Sequence, residues 1–163
     1  MERIRRAAAS EAQSVLALYR LAAKESAGWD DEYPNRDFVD ADISQSGLYV
    51  MEEGGALIGA VSLIDHDDLD KLNCWRGRKS CVLARLCTRP DRRRQGIGFR
   101  LTGFALEQAR RQGCDSVRLL ADVRSATAGR LYERAGFERR AEAELYGHRY
   151  YALEYLIVPL ETL

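Results

Sequence analysis

What the chain lacks narrows it before any motif is read. Its 25 basic residues balance 25 acidic ones, so no global field draws it to nucleic acid or to an acidic membrane. Cys74, Cys81, Cys87 and Cys114 form no C-x-x-C pair, and His66 and His148 stand at no ligand spacing. Neither a metal site nor a disulfide framework is therefore expected. Thiols outside such a framework imply a reducing compartment and a cytoplasmic protein. No apolar run is long enough to span a bilayer, and residues 1–6 are charged and lead into an amphipathic segment rather than an apolar signal core. Secretion and membrane insertion are not expected. Repeats, linkers and low-complexity segments are missing too, so 163 residues with 46% apolar content predict one domain, residues 1–163, around one core.

The most informative stretch that is present runs over residues 85–112. Leu83, Leu86 and Cys87 read as buried strand, which Pro90 and Asp91 stop. Arg92, Arg93, Arg94, Gln95, Gly96, Ile97 and Gly98 follow, and from Ile97 the apolar residues Leu101, Phe104, Ala105 and Ala109 recur at helical spacing. The two glycines thus fall at a helix N-terminus, where backbone N–H groups lack partners and the helix dipole is positive. Gly96 and Gly98 let an anion approach the backbone, while Arg92, Arg93, Arg94 and Arg100 add positive charge. A pyrophosphate fits this description; a solvated arginine turn is the plainer alternative. No Gly-Lys-Ser/Thr follows, which excludes a nucleotide P-loop, and the glycine spacing is wrong for a dinucleotide fingerprint.

Arg93, Gly96 and Gly98 in this spacing, with the preceding strand and proline, resemble the R/Q-x-x-G-x-G/A pyrophosphate loop of the GNAT superfamily of acyl-CoA-dependent N-acetyltransferases. A second segment, Leu131, Tyr132, Glu133, Arg134, Ala135, Gly136 and Phe137, is similar to that family's L-Y-x-x-x-G-F motif, with Ala128 in register. The resemblance implies an α/β (α+β) GNAT fold: a mixed, mostly antiparallel sheet of six to seven strands that splays in a V between strands 4 and 5, flanked by about four helices. It implies acetyl-CoA as co-substrate, held by Arg93, Arg94, Gln95, Gly96, Ile97 and Gly98, with backbone groups of Leu86, Cys87 and Thr88 directed at the pantetheine and acyl carbonyl. Many family members carry Asn where Ser125 stands, so Ser125 is read as either a cofactor contact or only a helix cap.

In chain order, residues 3–7 are expected to be a strand. Ser10 and Gln13 suggest a capping box opening a helix with Val15, Leu16, Tyr19, Ala22 and Ala23 on one face, ended by Gly28. An acidic, aromatic loop, Trp29 to Pro34, precedes a second helix with Phe38, Val39 and Ile43 inward and Gly47 beyond its end. Residues 48–51 and 57–64 read as a hairpin about a Gly54-Gly55 turn. A polar connection over residues 65–78 carries Asp65, Asp67, Asp68 and Asp70, either a cation-attracting rim or a solvated loop. Residues 80–88 form the central strand, Val117, Leu119, Leu120 and Val123 mark a parallel partner across the helical crossover, and Ser125 caps a helix over residues 126–135 with a Schellman ending at Gly136 and Phe137. Strands over residues 138–145 and 150–158 complete the chain.

The chemistry implied by the resemblance needs a neutral amine, donors for an oxyanion and a proton for the departing thiolate. Tyr132, a phenol that stays protonated at neutral pH and that the family places beside the sulfur, suits the last task. No carboxylate lies on residues 80–88; Asp122, Asp65, His148 and Glu154 are alternative bases, as is water relaying the proton to an acidic rim. Cys87 lacks an assigned activating partner and is not read as a nucleophile. Trp29, Tyr33, Trp75, Asp122 and His148, with nearby aspartates, are candidates for a pocket taking a cationic small amine or a peptide amine. Two other readings stand beside the enzyme: a CoA-binding regulatory module without turnover, and an RNA-binding surface on residues 89–100, which the zero net charge and the lack of interleaved aromatics apart from Phe99 disfavour. The apolar tail Tyr155, Leu156, Ile157, Val158 and Leu160 suggests sheet extension in a homodimer.

Overall fold

The structure, a computed structural model, describes residues 1–65 and 68–158. His66, Asp67, the Asp68 side chain and Leu160 lie outside what it describes. The elements run β1 (Glu2–Arg6), α1 (Ala12–Ala23), α2 (Arg36–Ser44), β2 (Leu48–Glu53), β3 (Ala56–Ile64), β4 (Ser80–Thr88), α3 (Ile97–Arg111), β5 (Ser116–Asp122), α4 (Ala126–Ala135), β6 (Glu138–Leu145) and β7 (His148–Leu156). The strands form one seven-stranded sheet in the order β1-β2-β3-β4-β5-β7-β6, antiparallel except for β4 with β5. The mixed sheet and four helices match the architecture expected from the sequence.

Two apolar clusters sandwich the sheet. On one face α1 and α2 bring Val15, Leu18, Tyr19, Ala22 and Val39 against Leu48, Val50, Ala60 and Cys87. On the other, Ile97, Leu101, Ala105 and Ala109 of α3 and Tyr132 of α4 meet Tyr49, Met51, Val61, Leu83, Leu119 and Leu153. Gly59 sets how closely α3 lies on the sheet: a Cβ there would stand 2.8 Å from Leu101 Cδ1 and 2.9 Å from Ile97 Cγ2. The first turn of α3 is thereby pressed onto β3 beside the end of β4.

The parallel β4–β5 ladder registers only Ser80 with Ser116, Cys81 with Val117 and Val82 with Arg118. Beyond Val82 the strands part, and this is the V-shaped splay. Its closed end is bolted by two carboxylates. Glu154, fully buried on β7, accepts from Ser116 Oγ at 2.6 Å, Arg140 Nε at 2.8 Å and the Arg76 and Gly77 N–H groups at 2.9 Å. Asp115 Oδ1 accepts from the N–H groups of Arg78 (3.0 Å) and Lys79 (2.9 Å), tying the approach to β4 to the start of β5.

Several local expectations are corrected. Ser10 is not the cap of α1, which begins at Ala12 after a 3-10 turn over Ala9–Glu11. Glu11 reaches back to the Ala8 N–H at 2.8 Å and is itself gripped by Arg5 at 2.7 and 2.8 Å, so an ion pair organises this entry. Gly28 lies four residues beyond the C-cap Lys24 of α1 rather than at its end. Phe38 is 36% exposed rather than inward; Asp42 takes the buried position on α2. Strand β7 begins at His148 rather than Tyr150 and ends at Leu156, with β5 on one side and β6 on the other from Tyr150 to Glu154.

Candidate active site

At the start of α3, Gly96 is the N-cap with φ +76°, a left-handed conformation that favours glycine. A Cβ at this position would meet nothing within 4 Å, and no side chain caps the helix. The first-turn amides of Ile97, Gly98 and Phe99 therefore have no side-chain cap among the described residues at the positive end of a 15-residue helix. A Cβ on Gly98 would lie 2.8 Å from Leu131 Cδ1, so this glycine serves the approach of α4 as well as the cradle. That arrangement fits an anionic group such as a pyrophosphate.

The arginine cluster is less free than its sequence suggests. Arg92 is held by Glu53 at 2.9 and 3.2 Å and donates to Gln95 Oε1 at 3.0 Å. Arg89 pairs with Asp91 at 2.7 Å and Arg100 with Glu2 at 2.5 Å. Arg93 has a loose 3.5 Å contact with Glu25. Arg94, exposed and at φ +65°, forms no ion pair or hydrogen bond among the described residues. Mobile positive charge is thus concentrated at Arg93 and Arg94 rather than spread over the run.

Strand β4 carries a bulge beyond the point where β5 leaves it. Its register with β3 shifts between Ala60 and Ser62, because Ala60 faces Cys87 while Ser62 faces Ala84. Within the extra length sits Arg85 with φ +51°, a conformation uncommon for any residue but glycine, asparagine or aspartate. Leu86, Cys87 and Thr88 follow on the side no longer paired to β5. The Cys87 side chain turns into the α1–α2 core, where burial pushes its thiol up to about 12. It is therefore inert as a nucleophile, and only its backbone is available to a ligand.

Tyr132 lies on α4 with its ring 5.7 Å from Phe137, which the expected Schellman turn locks in place through Phe137 N–H to Tyr132 O at 3.0 Å. Burial raises its pKa above the ordinary phenol value. The hydroxyl has no hydrogen-bond partner among the described residues. It is thus a proton donor at neutral pH that no protein acceptor has claimed. Ser125 is the N-cap of α4, its Oγ accepting from Ala128 N–H at 3.4 Å.

The acceptor candidates divide. Trp29 and Tyr33 belong to an aromatic row that runs from Tyr19 through Trp29, Tyr33 and Phe38 at centroid spacings of 5.4, 6.4 and 5.0 Å. The loop bearing them meets the end of β5, since a Cβ on Gly28 would stand 3.0 Å from Asp122 Oδ2. Asp122 is gripped by Arg124 at 3.0 and 2.7 Å, and Arg124 Nη2 is 3.4 Å from His148 Nδ1. Trp29, Tyr33, Asp122 and His148 therefore share one neighbourhood. Trp75 packs separately with Ile64, Leu69 and Val82; its Nε1–H donates to Leu69 O at 2.8 Å and Arg118 lies over its ring at 5.2 Å.

Among the candidate bases, Glu154 is a fixed anion. Burial opposes its charge, but the four donors win and hold its pKa down at about 2. Hydrogen bonding to Arg124 holds Asp122 below the usual carboxylate range as well. Both are poor proton acceptors at neutral pH. Asp65 is exposed at the end of β3.

The sequence reading passed over Arg85 and Asp42. Arg85 Nε and Nη2 each donate to Asp42 at 2.8 Å, with side-chain exposures of only 7% and 2%. Ser62 Oγ donates to the same carboxylate at 2.5 Å, Arg85 Nη1 to Tyr33 Oη at 3.4 Å, and the guanidinium lies 4.9 Å over Phe38. A charged residue inside an otherwise apolar strand was the available signal.

A splayed β4–β5 pair, a bulged central strand and an open helix N-terminus define an acyl-transfer type of site. The chain belongs to the acetyltransferase (GNAT) family, whose model matches residues 15–137. Among solved structures it is similar to an acetyltransferase of the GNAT family from Streptococcus agalactiae, at 19% identity over 96% of each chain with a TM-score of 0.80. It is also similar to the paia N-acetyltransferase from Thermoplasma acidophilum in complex with coenzyme A, at 16% identity over 96% and 99% of the two chains with a TM-score of 0.76. A third is yncA from Salmonella typhimurium with its cofactor acetyl-CoA, at 20% identity over 96% and 94% with a TM-score of 0.75. At these identities the likeness concerns the fold. Comparison of the sequence with curated proteins gives no match.

Proposed function

We propose that the protein transfers an acetyl group from acetyl-CoA to a primary amine of a small molecule or peptide, by direct attack in a ternary complex. The observation that carries this reading is the opening of β4 from β5 beyond Val82, directly beside the uncapped start of α3. When bound, acetyl-CoA supplies an activated acyl thioester. The amides of Gln95, Gly96, Ile97 and Gly98, with Arg93 and Arg94, bind its pyrophosphate. Backbone groups of Leu86, Cys87 and Thr88, freed from β5, orient the pantetheine and the acyl carbonyl. Tyr132, which its raised pKa keeps protonated at neutral pH, donates its hydrogen bond and proton to the departing sulfur and is reprotonated from water.

The amine enters from the side of Trp29, Tyr33, Asp122 and His148. With Asp122 and Glu154 held as weak bases, water carries the amine's proton outward. The thiol usage assigns the enzyme to the cytoplasm; no described helix is long and apolar enough to cross a membrane. Among the described residues the candidate carboxylates Asp122 and Glu154 are already engaged, which favours one second reading, a CoA-binding module without turnover.

Free-thiol release from acetyl-CoA, measured against polyamines, aminoglycosides, amino acids and peptides, separates the two. Tyr132→Phe removes one hydroxyl and little volume, so acetyl-CoA affinity should hold while kcat falls about 10²- to 10⁴-fold, the usual contribution of general acid catalysis. Equal single-turnover rates for both proteins between about pH 6 and 10, a span that brackets the thiol pKa, would remove Tyr132 from the chemistry. No release with any amine would favour the module.

A further inference from the structure

We infer that Arg85 is a positioning residue that couples the acyl-transfer segment of β4 to the amine-acceptor loop, and thereby sets acceptor recognition. The inference rests on the acetyltransferase reading of the cleft but concerns a residue to which that reading gives no role. Three observations meet at this side chain. Its backbone occupies the β4 bulge at φ +51°, one residue before Leu86. Its guanidinium is fastened by two parallel 2.8 Å bonds to Asp42, which Ser62 of β3 fixes in turn at 2.5 Å. Its remaining nitrogen, Nη1, reaches the Tyr33 hydroxyl at 3.4 Å, and its face covers Phe38.

The geometry makes Arg85 a polar strut from β4 to α2 and the loop, beside the apolar packing of Trp29 in the cluster that holds Cys87. Residues 24–35 connect α1 to α2 and are tied to the helices by Arg20, which donates to Asp30 O and Pro34 O at 3.2 Å each. Asp30 Oδ1 shapes the turn internally by accepting from the Glu32 and Tyr33 N–H groups. Among the described residues, Arg85 supplies the side-chain hydrogen bond from the catalytic strand into this loop. A bidentate arginine–carboxylate pair has a rigid fork geometry, so the position of the bulge and that of Tyr33 are set by one planar group. Lysine could keep the charge but not the fork. An amine docking against Tyr33 and Trp29 is thus held in register with the backbone groups of Leu86 and Cys87.

The coupling predicts non-additivity. Arg85→Gly suits the left-handed backbone and preserves the bulge; pairing it with Asp42→Asn avoids a stranded buried carboxylate. Tyr33→Phe removes only the hydroxyl. With the best amine of the panel, Asp42→Asn/Arg85→Gly should raise the acceptor KM about tenfold, the worth of one charge-assisted hydrogen bond. Tyr33→Phe should raise it less, and adding Tyr33→Phe to Asp42→Asn/Arg85→Gly should raise it no further. Arg85→Lys should fall between wild type and the pair. Acetyl-CoA affinity by calorimetry should stay within about twofold throughout, since the pyrophosphate cradle is untouched. Hydrogen exchange over residues 24–35, which needs no substrate, should quicken in Tyr33→Phe and in Asp42→Asn/Arg85→Gly. Additive KM effects, or unchanged exchange over residues 24–35 in both variants, would overturn the coupling. If wild type accepts no amine, the amine-transfer reading fails, and the exchange measurement alone still decides whether Arg85 holds the loop.

Discussion

The two ends of the β4–β5 pair are built on opposite principles. At the closed end, Ser80 to Val82 keep their ladder and most nearby polar groups are paired: Glu154 with four donors, Asp115 with two backbone amides, and Arg118 through Nη1 to Asp70 and Nη2 to the Gly77 carbonyl, its buried Nε alone lacking a partner among the described residues. At the open end the backbone of Leu86 to Thr88 keeps β3 but has lost β5, and among the described residues no side chain caps α3 and none bonds the Tyr132 hydroxyl. Unmade hydrogen bonds cost stability unless something fills them. The densely bonded end thus clamps the two strands together where the ladder survives and leaves the other end open to a ligand.

This contrast can be broken most severely at Glu154. Glu154→Gln removes the charge that faces Arg140 inside the clamp, and unfolding free energy should drop by about 3 kcal/mol, the scale of breaking a buried pair. The sign of the pH dependence follows from the depressed pKa of about 2. The ionised form is favoured in the folded state, so this contribution is complete above the ordinary glutamate range and is lost as pH falls through about 4 towards 2. Denaturation midpoints of wild type and Glu154→Gln should therefore converge in acid; a constant gap would mean that the charge is not what matters.

At the open end Gly96→Asp should act mainly on the ligand. It places a carboxylate where a pyrophosphate is proposed, and like-charge juxtaposition costs several kcal/mol, so acetyl-CoA affinity should fall by about a hundredfold or more. The left-handed backbone adds a stability loss of about 1 kcal/mol. Calorimetry showing wild-type affinity would detach the loop from donor binding. Gly98→Asp is the poorer probe, because its side chain collides with Leu131. Smallest is Ser125→Ala, which should cost about 1 kcal/mol as a lost cap and leave acetyl-CoA affinity unchanged; a clear affinity loss would give Ser125 a ligand role after all.

The segments proposed to hold the donor were legible as structure because their signals are local. A strand, a glycine pair, a helical period and a Schellman turn each specify backbone over a few residues, and the bounds of β4, α4 and β6 follow from them. The acceptor half depends on contacts far apart in sequence. Asp42 and Arg85 are 43 residues apart, and neither residue's own neighbourhood announces the pair. The acidic, aromatic character of residues 29–34 was visible, but not that Asp30 serves its own turn or that Asp122 is neutralised by Arg124. Charge counts in a sequence say what is present; only pairing says what remains for a substrate. The same holds for the arginine run, where Glu53 and Glu2 arrive from distant strands.

Amide NMR of the uniformly labelled protein during titration with acetyl-CoA compares the two ends in one experiment. Resonances of Leu86, Cys87, Thr88, Gln95, Ile97 and Gly98 should shift and saturate together, while those of Ser80, Cys81, Val117 and Arg118 stay in place. Saturating shifts at the closed end, with none at Leu86 to Thr88, would contradict the account.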